Sequence, residues 1–186
     1  MRTSLGTDPA MAEARRSELA VLATIDHPGL ARLVDHGQLP GGEGEYLART
    51  WIEGRDLAAW AEEAAPEEIG AAVARLCPAL EHLHRRGFVH GDLKPDNAVV
   101  TPGGAVVLTD FGLAQPRSAS EVATGVFGTL FAIAPEVLLG QPATPKSDLF
   151  ALGVLLHQLL VGRRTSARDF YGRFPAEDYF RASGTR

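Results

Sequence analysis

His90-Gly91-Asp92-Leu93-Lys94-Pro95-Asp96-Asn97 is the stretch on which the reading of this chain turns. It gathers an imidazole, two carboxylates, an ammonium and a carboxamide within one short segment. Downstream stand Asp110-Phe111-Gly112, then Ala134-Pro135-Glu136, then Asp148 and Gly153 within Asp-Leu-Phe-Ala-Leu-Gly. Taken singly, each segment is weak, because Asp92, Asp96 and Asp110 are at home in turns. Their fixed order along one chain is the signal.

The flanking sequence gives these segments a scaffold. Residues 10–26 read as a helix, with Leu19, Leu22, Ala23 and Ile25 forming an apolar stripe opposite Glu13, Arg16 and Glu18. His27-Pro28-Gly29 stops it. Residues 30–39 and 45–52 read as strands of a hairpin around Gly41-Gly42-Glu43-Gly44. Asp56 caps a short helix over 57–64, and Pro66 opens a longer one over 67–86 that Gly87 ends. Short strands follow at 98–101 and 105–109, then a loop over 110–134, a short helix over 134–139, and a helix over 148–161. This last helix is apolar nearly all round, so it reads as buried. The tail from Gly162 is polar, aromatic-spotted and without a clear period.

Composition narrows the function classes. The 186 residues suit one domain, and a chain near this size hides about 70% of its unfolded surface. Hydrophobic residues at 45% and charged residues at 22% exclude a wholly disordered or collagen-like chain. A net charge of −5 argues against holding nucleic acid by bulk charge. The longest apolar run, Leu149 to Val161, is too short to span a bilayer. The first residues show no apolar signal core, so a cytoplasmic location is the default. Cys77 is the single cysteine; it excludes an internal disulfide and reads as a small core residue.

Together the ordered segments resemble the catalytic loop, the DFG motif, the APE motif and the buried central helix of the protein kinase family. The resemblance runs from about residue 10 to residue 162. It implies an α+β, protein-kinase-like fold in a single incomplete domain over 1–186. Residues 10–52 would form a partial N-lobe, with the regulatory helix, two strands and the hinge; 53–162 the helical C-lobe; and 163–186 an unassigned tail.

The family's chemistry accounts for the residue types. Phosphoryl transfer from ATP needs metal ions on the triphosphate, a group that orients the nucleophile and a cation on the moving phosphoryl. Magnesium takes hard oxygen ligands. By resemblance, Asp110 and Asn97 hold magnesium, Asp92 orients the substrate hydroxyl, and Lys94 reaches the γ-phosphate. Lys94 in Lys-Pro-Asp-Asn and Thr129 ahead of APE resemble the serine/threonine branch, so the substrate would be a protein hydroxyl. His90 and Phe111 would stack into a spine with Leu22. Glu18 stands where the regulatory helix carries its ion-pairing glutamate, with Glu13 as a rival. Tyr46 to Gly54 resembles the hinge: backbone groups of Thr50 and Ile52 would bond adenine, Val99 would pack under it, Asp56 would touch the ribose, and Arg49 would be the gatekeeper. Glu136 would pair with an arginine from beyond the central helix, with Arg163 and Arg164 the nearest substitutes, and Asp148 would mark that helix.

The pattern also departs from the family. No GxGxxG and no lysine precede Glu18, and Lys94 is the first lysine of all, so Glu18 is expected to lack its partner. Gly91 replaces the common arginine, which suggests an activation segment over 113–133 that orders without phosphorylation. Ser118, Ser120 and Thr124 are phosphosites or loop polar residues. Impaired transfer by this chain alone is expected, together with lower stability from an open strand edge. Two alternatives stay open: a pseudokinase or kinase-like binding module, and a small-molecule phosphotransferase of the aminoglycoside or choline type, whose loop often reads His-Gly-Asp. DFG followed by APE speaks for the protein kinase.

Overall fold

The structure, a computed structural model, describes residues 16, 18–40, 45–116 and 132–161. A short helix, α1, spans 18–22. Strands β1 (Leu33–Gln38) and β2 (Glu45–Arg49) form an antiparallel hairpin in which Gln38 faces Glu45 and Leu33 faces Arg49. The register shifts between Leu33 and Asp35, so Val34 sits in a bulge and is 64% exposed.

The segment between helix and hairpin is sewn to the rest of the molecule. Ala31 donates its N–H to the Leu108 carbonyl, and Leu108 donates to Gly29. These bonds place Leu30 and Ala31 in one buried core with Val21, Leu22, Ile25, Leu108 and Phe111. Burial of such side chains contributes roughly 1.5–3 kcal/mol each.

A three-stranded sheet follows, ordered β3 (Arg55–Asp56), β5 (Ala98–Val100), β6 (Val106–Leu108), all antiparallel. At Gly54 a Cβ would lie 2.2 Å from the Val100 carbonyl oxygen, so only glycine lets the chain enter β3 this close to β5. Between these strands run α2 (Leu57–Ala61), α3 (Pro66–Ala74) and α4 (Cys77–Arg85). Asp56 caps α2 as expected, accepting from the Ala59 N–H at 2.7 Å. Strands β4 (Phe88–Val89) and β7 (Gln115–Pro116) pair antiparallel. The helices α5 (Pro135–Leu138) and α6 (Pro145–Val161) close the described chain. Among the described residues no helix is long and apolar enough to cross a membrane.

Several elements differ from the sequence reading, each for a local reason. The helix expected over 67–86 is two helices. Pro78 lacks an N–H and its ring would strike the Ala74 carbonyl, so α3 ends at Ala74 and α4 restarts with Pro78 in its first turn. Helix α6 begins at Pro145, three residues before the expected start, because proline suits a first helical position. Helix α1 ends at Leu22, well before residue 26, and Thr24 bonds back to the Val21 carbonyl instead of extending it. Val21 is fully buried, whereas Ala23, assigned to the apolar stripe, is exposed. Cys77 is exposed rather than a core residue, since it faces outward at the start of α4. On α6, Ala151, Leu152, Val154 and Leu155 are buried, but Leu149, Leu160 and Val161 are exposed, so the helix is not covered all round. Thr129, Ser118, Ser120, Thr124, Arg163, Arg164 and the tail lie outside the described residues.

Candidate active site

The loop from His90 to Asn97 is tied down from two directions. Asp148, 1% exposed at the start of α6, accepts the backbone N–H groups of His90 at 2.8 Å and Gly91 at 3.0 Å. Its Oδ2 also meets the His84 Nε2 of α4 at 2.7 Å. Gly91 has φ +76°, and a Cβ there would lie 3.0 Å from the Leu113 carbonyl oxygen, so the turn favours glycine. At the other end, Pro95–Asn97 form one 3-10 turn that leads into β5.

Within this frame the polar side chains converge on Asp92. Lys94 Nζ donates to Asp92 Oδ2 at 2.5 Å. Asn97 Nδ2 donates to the same oxygen at 3.0 Å and to the Asp92 backbone carbonyl at 2.9 Å. The Asn97 amide nitrogen is thereby committed, and its carbonyl oxygen remains as the ligating atom. Asp92 is held as an oriented acceptor beside a cation, which is what a group that positions a hydroxyl needs.

The β5–β6 register brings the second carboxylate alongside. Ala98 faces Leu108, and Thr109 donates its backbone N–H to the Asn97 carbonyl at 3.0 Å. Asp110 is the next residue, and its Oδ1 accepts from the Gly112 N–H at 3.0 Å. Asp110 and Asn97 are thus brought to one end of the same strand pair. Among the described residues no group of three or more His, Cys, Asp or Glu side chains is arranged to hold a metal alone. One carboxylate and one carboxamide oxygen fit a magnesium ion, which commonly takes few protein ligands and completes its shell with water and phosphate.

Behind the loop lies a buried stack. The His90 and Phe111 rings sit 5.5 Å apart at 56°, and both side chains are fully buried. Leu22 belongs to the same buried core as Phe111. Burial pushes the His90 imidazole below its usual pKa, so the ring is neutral near pH 7. Its Nδ1 accepts from the Asp92 N–H at 3.3 Å, while Nε2 has no hydrogen-bond partner among the described residues.

The remaining expected residues fall into place unevenly. Thr50 spends its N–H on the Arg32 carbonyl and its hydroxyl oxygen on the Arg32 N–H, both at 2.9 Å, which leaves its carbonyl for a ligand. Ile52 and Val99 are half-buried, and Val99 pairs with Asp56 across β3 and β5. One Asp56 oxygen is committed to capping α2. Glu136 accepts from the Ser147 hydroxyl at 2.8 Å.

Glu18 requires a correction. It was expected to lack a counter-ion, but the Arg49 guanidinium donates to its Oε1 at 3.0 Å. The cation is an arginine at the end of β2, 31 positions away, in place of the family's strand lysine. The His84 contact to Asp148 was also missed; a histidine six residues before His90 on the same helical approach was its only sequence signal. An open groove of about 360 Å3 between α4 and α6, lined by Cys77, Leu80, Glu81, His84, Arg85 and Leu149, contains none of the expected site residues.

Residues 5–171 match the model of the protein kinase domain. The chain is 36% identical over 177 residues to the serine/threonine-protein kinase PknA of Mycobacterium tuberculosis, covering 91% of this chain and 41% of that protein. It is 30% identical over 172 residues to PknB of Mycolicibacterium smegmatis, covering 87% and 27%. A probable serine/threonine-protein kinase PknB of Lactococcus lactis is 30% identical over 161 residues, covering 84% and 25%. The chain therefore spans less than half the length of these relatives.

Proposed function

Because the chain belongs to the protein kinase family, with bacterial serine/threonine kinases among its relatives, we propose that it transfers the γ-phosphoryl group of ATP to serine or threonine hydroxyls of proteins. The observation that carries this reading is the convergence of Lys94 and Asn97 on Asp92, with Asp110 brought beside Asn97 by the β5–β6 register. Asp92 receives and orients the incoming hydroxyl. Lys94 offers its ammonium to the transferring phosphoryl as a point charge. Asn97 and Asp110 would hold magnesium, which would supply positive charge against the phosphate oxygens. The Thr50 carbonyl and the Ile52 backbone bond adenine, Val99 packs beneath it, and Asp56 meets the ribose.

The test uses the full chain with magnesium, ATP and a generic protein substrate, beside Asp92→Asn and Asp110→Ala. Transfer should fall by about 10²–10⁴ in Asp92→Asn, the usual contribution of such a group, with nucleotide binding kept. Asp110→Ala should lose magnesium-dependent binding as well. Full activity in both variants would sink the site assignment. Nucleotide binding without transfer by the unaltered chain would favour a binding module, and transfer only to small alcohols a small-molecule phosphotransferase.

A further inference from the structure

The gatekeeper position carries an unusual side chain, and the structure gives it a job. Arg49 closes β2, where its backbone is fixed twice over. It faces Leu33 in the hairpin, and the next residue, Thr50, bonds Arg32 through both N–H and hydroxyl at 2.9 Å. From that rigid strand end the guanidinium crosses to α1 and donates to Glu18 Oε1 at 3.0 Å. The two side chains are 20% and 17% exposed, so water screens the pair only partly. Glu18 lies within the electrostatic reach of a second carboxylate, Asp110. Burial, the larger effect, and the Asp110 charge both push the Glu18 carboxyl up; Arg49 opposes them. Guanidinium suits this post better than ammonium, because it stays charged when half-buried and its planar fork holds a fixed direction.

Glu18 is four residues from Leu22, which shares a core with Phe111, the neighbour of Asp110. Helix α1 and the Asp110 segment therefore share one core, and the Arg49 pair ties α1 to β2. We propose that Arg49 is a positioning residue for Asp110: from the end of β2 it clamps Glu18 and fixes α1 against the Asp110–Gly112 turn. The inference rests on the kinase reading for what Asp110 does, but the clamp itself is a property of this chain.

The experiment combines a double-variant cycle with a binding titration on the full chain. Arg49→Met, Glu18→Gln, the double variant and Arg49→Lys are compared in urea midpoint and in magnesium-dependent binding of a fluorescent ATP analogue. Each single change should weaken binding about tenfold, the scale of one charge-assisted hydrogen bond. The double variant should be no worse than either single one in midpoint or binding, and Arg49→Lys should recover most of both. Any folding defect in Arg49→Met is separated from the clamp by Arg49→Lys, which keeps the charge and most of the stem. Singles that bind like the unaltered chain, or effects that simply add in the double variant, would overturn the proposal. If the unaltered chain binds no nucleotide, the kinase reading fails instead. The urea cycle then decides the clamp: coupling upholds it, and additivity removes it.

Discussion

His90 is wholly buried, and its Nε2 has no partner among the described residues. Desolvation lowers its pKa from the ordinary 6.5. Above that value the imidazole is neutral in both the folded and the unfolded chain, so it adds no pH dependence. Below it the unfolded chain takes up a proton that the folded chain refuses, and stability falls with pH until the folded value is passed. The slope is at most about 1.4 kcal/mol per pH unit. His90→Phe keeps a ring against Phe111 and cannot titrate. Its urea midpoint relative to the unaltered chain should rise as pH is lowered from 7.5 to 5. A constant difference across that range would show that His90 is not the acid-sensitive group. At this scale the motif residues were legible because phosphoryl transfer demands those types at close spacing. Arg49 and Glu18, 31 positions apart, were not, since a side-chain contact between separate elements leaves no local pattern.

The elements show the same division. Helices and strands around Gly and Pro signals were readable, and the break between α3 and α4 was present in the sequence as Pro78. The role of α6 was readable only as an apolar helix. What it positions became plain through Asp148, which joins α6 to the 90–91 turn and to α4 through three donors. Asp148→Ala leaves those donors facing a dry cavity and should cost about 3–5 kcal/mol, the usual loss when one partner of a buried charged network is removed. The urea midpoint reads this directly, and a midpoint equal to that of the unaltered chain would mean the loop is held by something else. Asp148→Asn keeps the shape and one acceptor oxygen and should fall between the two.

Across the whole molecule, large apolar side chains remain in water. Trp51 is 84% exposed, Val34 64%, Val161 58% and Leu149 57%. Val34 is the most exposed large apolar side chain of the β1–β2 hairpin, at a bulge where the ladder is interrupted. Unprotected strands with apolar side chains invite pairing between copies. Val34→Lys should lower concentration-dependent self-association in sedimentation experiments and leave the urea midpoint nearly unchanged, since it removes no buried contact. Association that persists unaltered would place the sticky surface elsewhere, with Trp51 the next side chain to replace.

The Asp148 bonds to the 90–91 turn carry one more consequence, in the time domain. An amide held by a buried carboxylate trades its hydrogen for deuterium only when the carboxylate lets go. Asp148 lets go only if the start of α6 leaves the core, where Ala151, Leu152 and Leu155 are packed. The His90 and Gly91 amides should therefore exchange as slowly as those of the α6 interior, although Gly91 itself lies exposed at the surface. In deuterated solvent the reactive loop would keep time with the core beneath it, and the nearby Thr101 and Gly104 amides, which donate within their own turn, would run ahead of both.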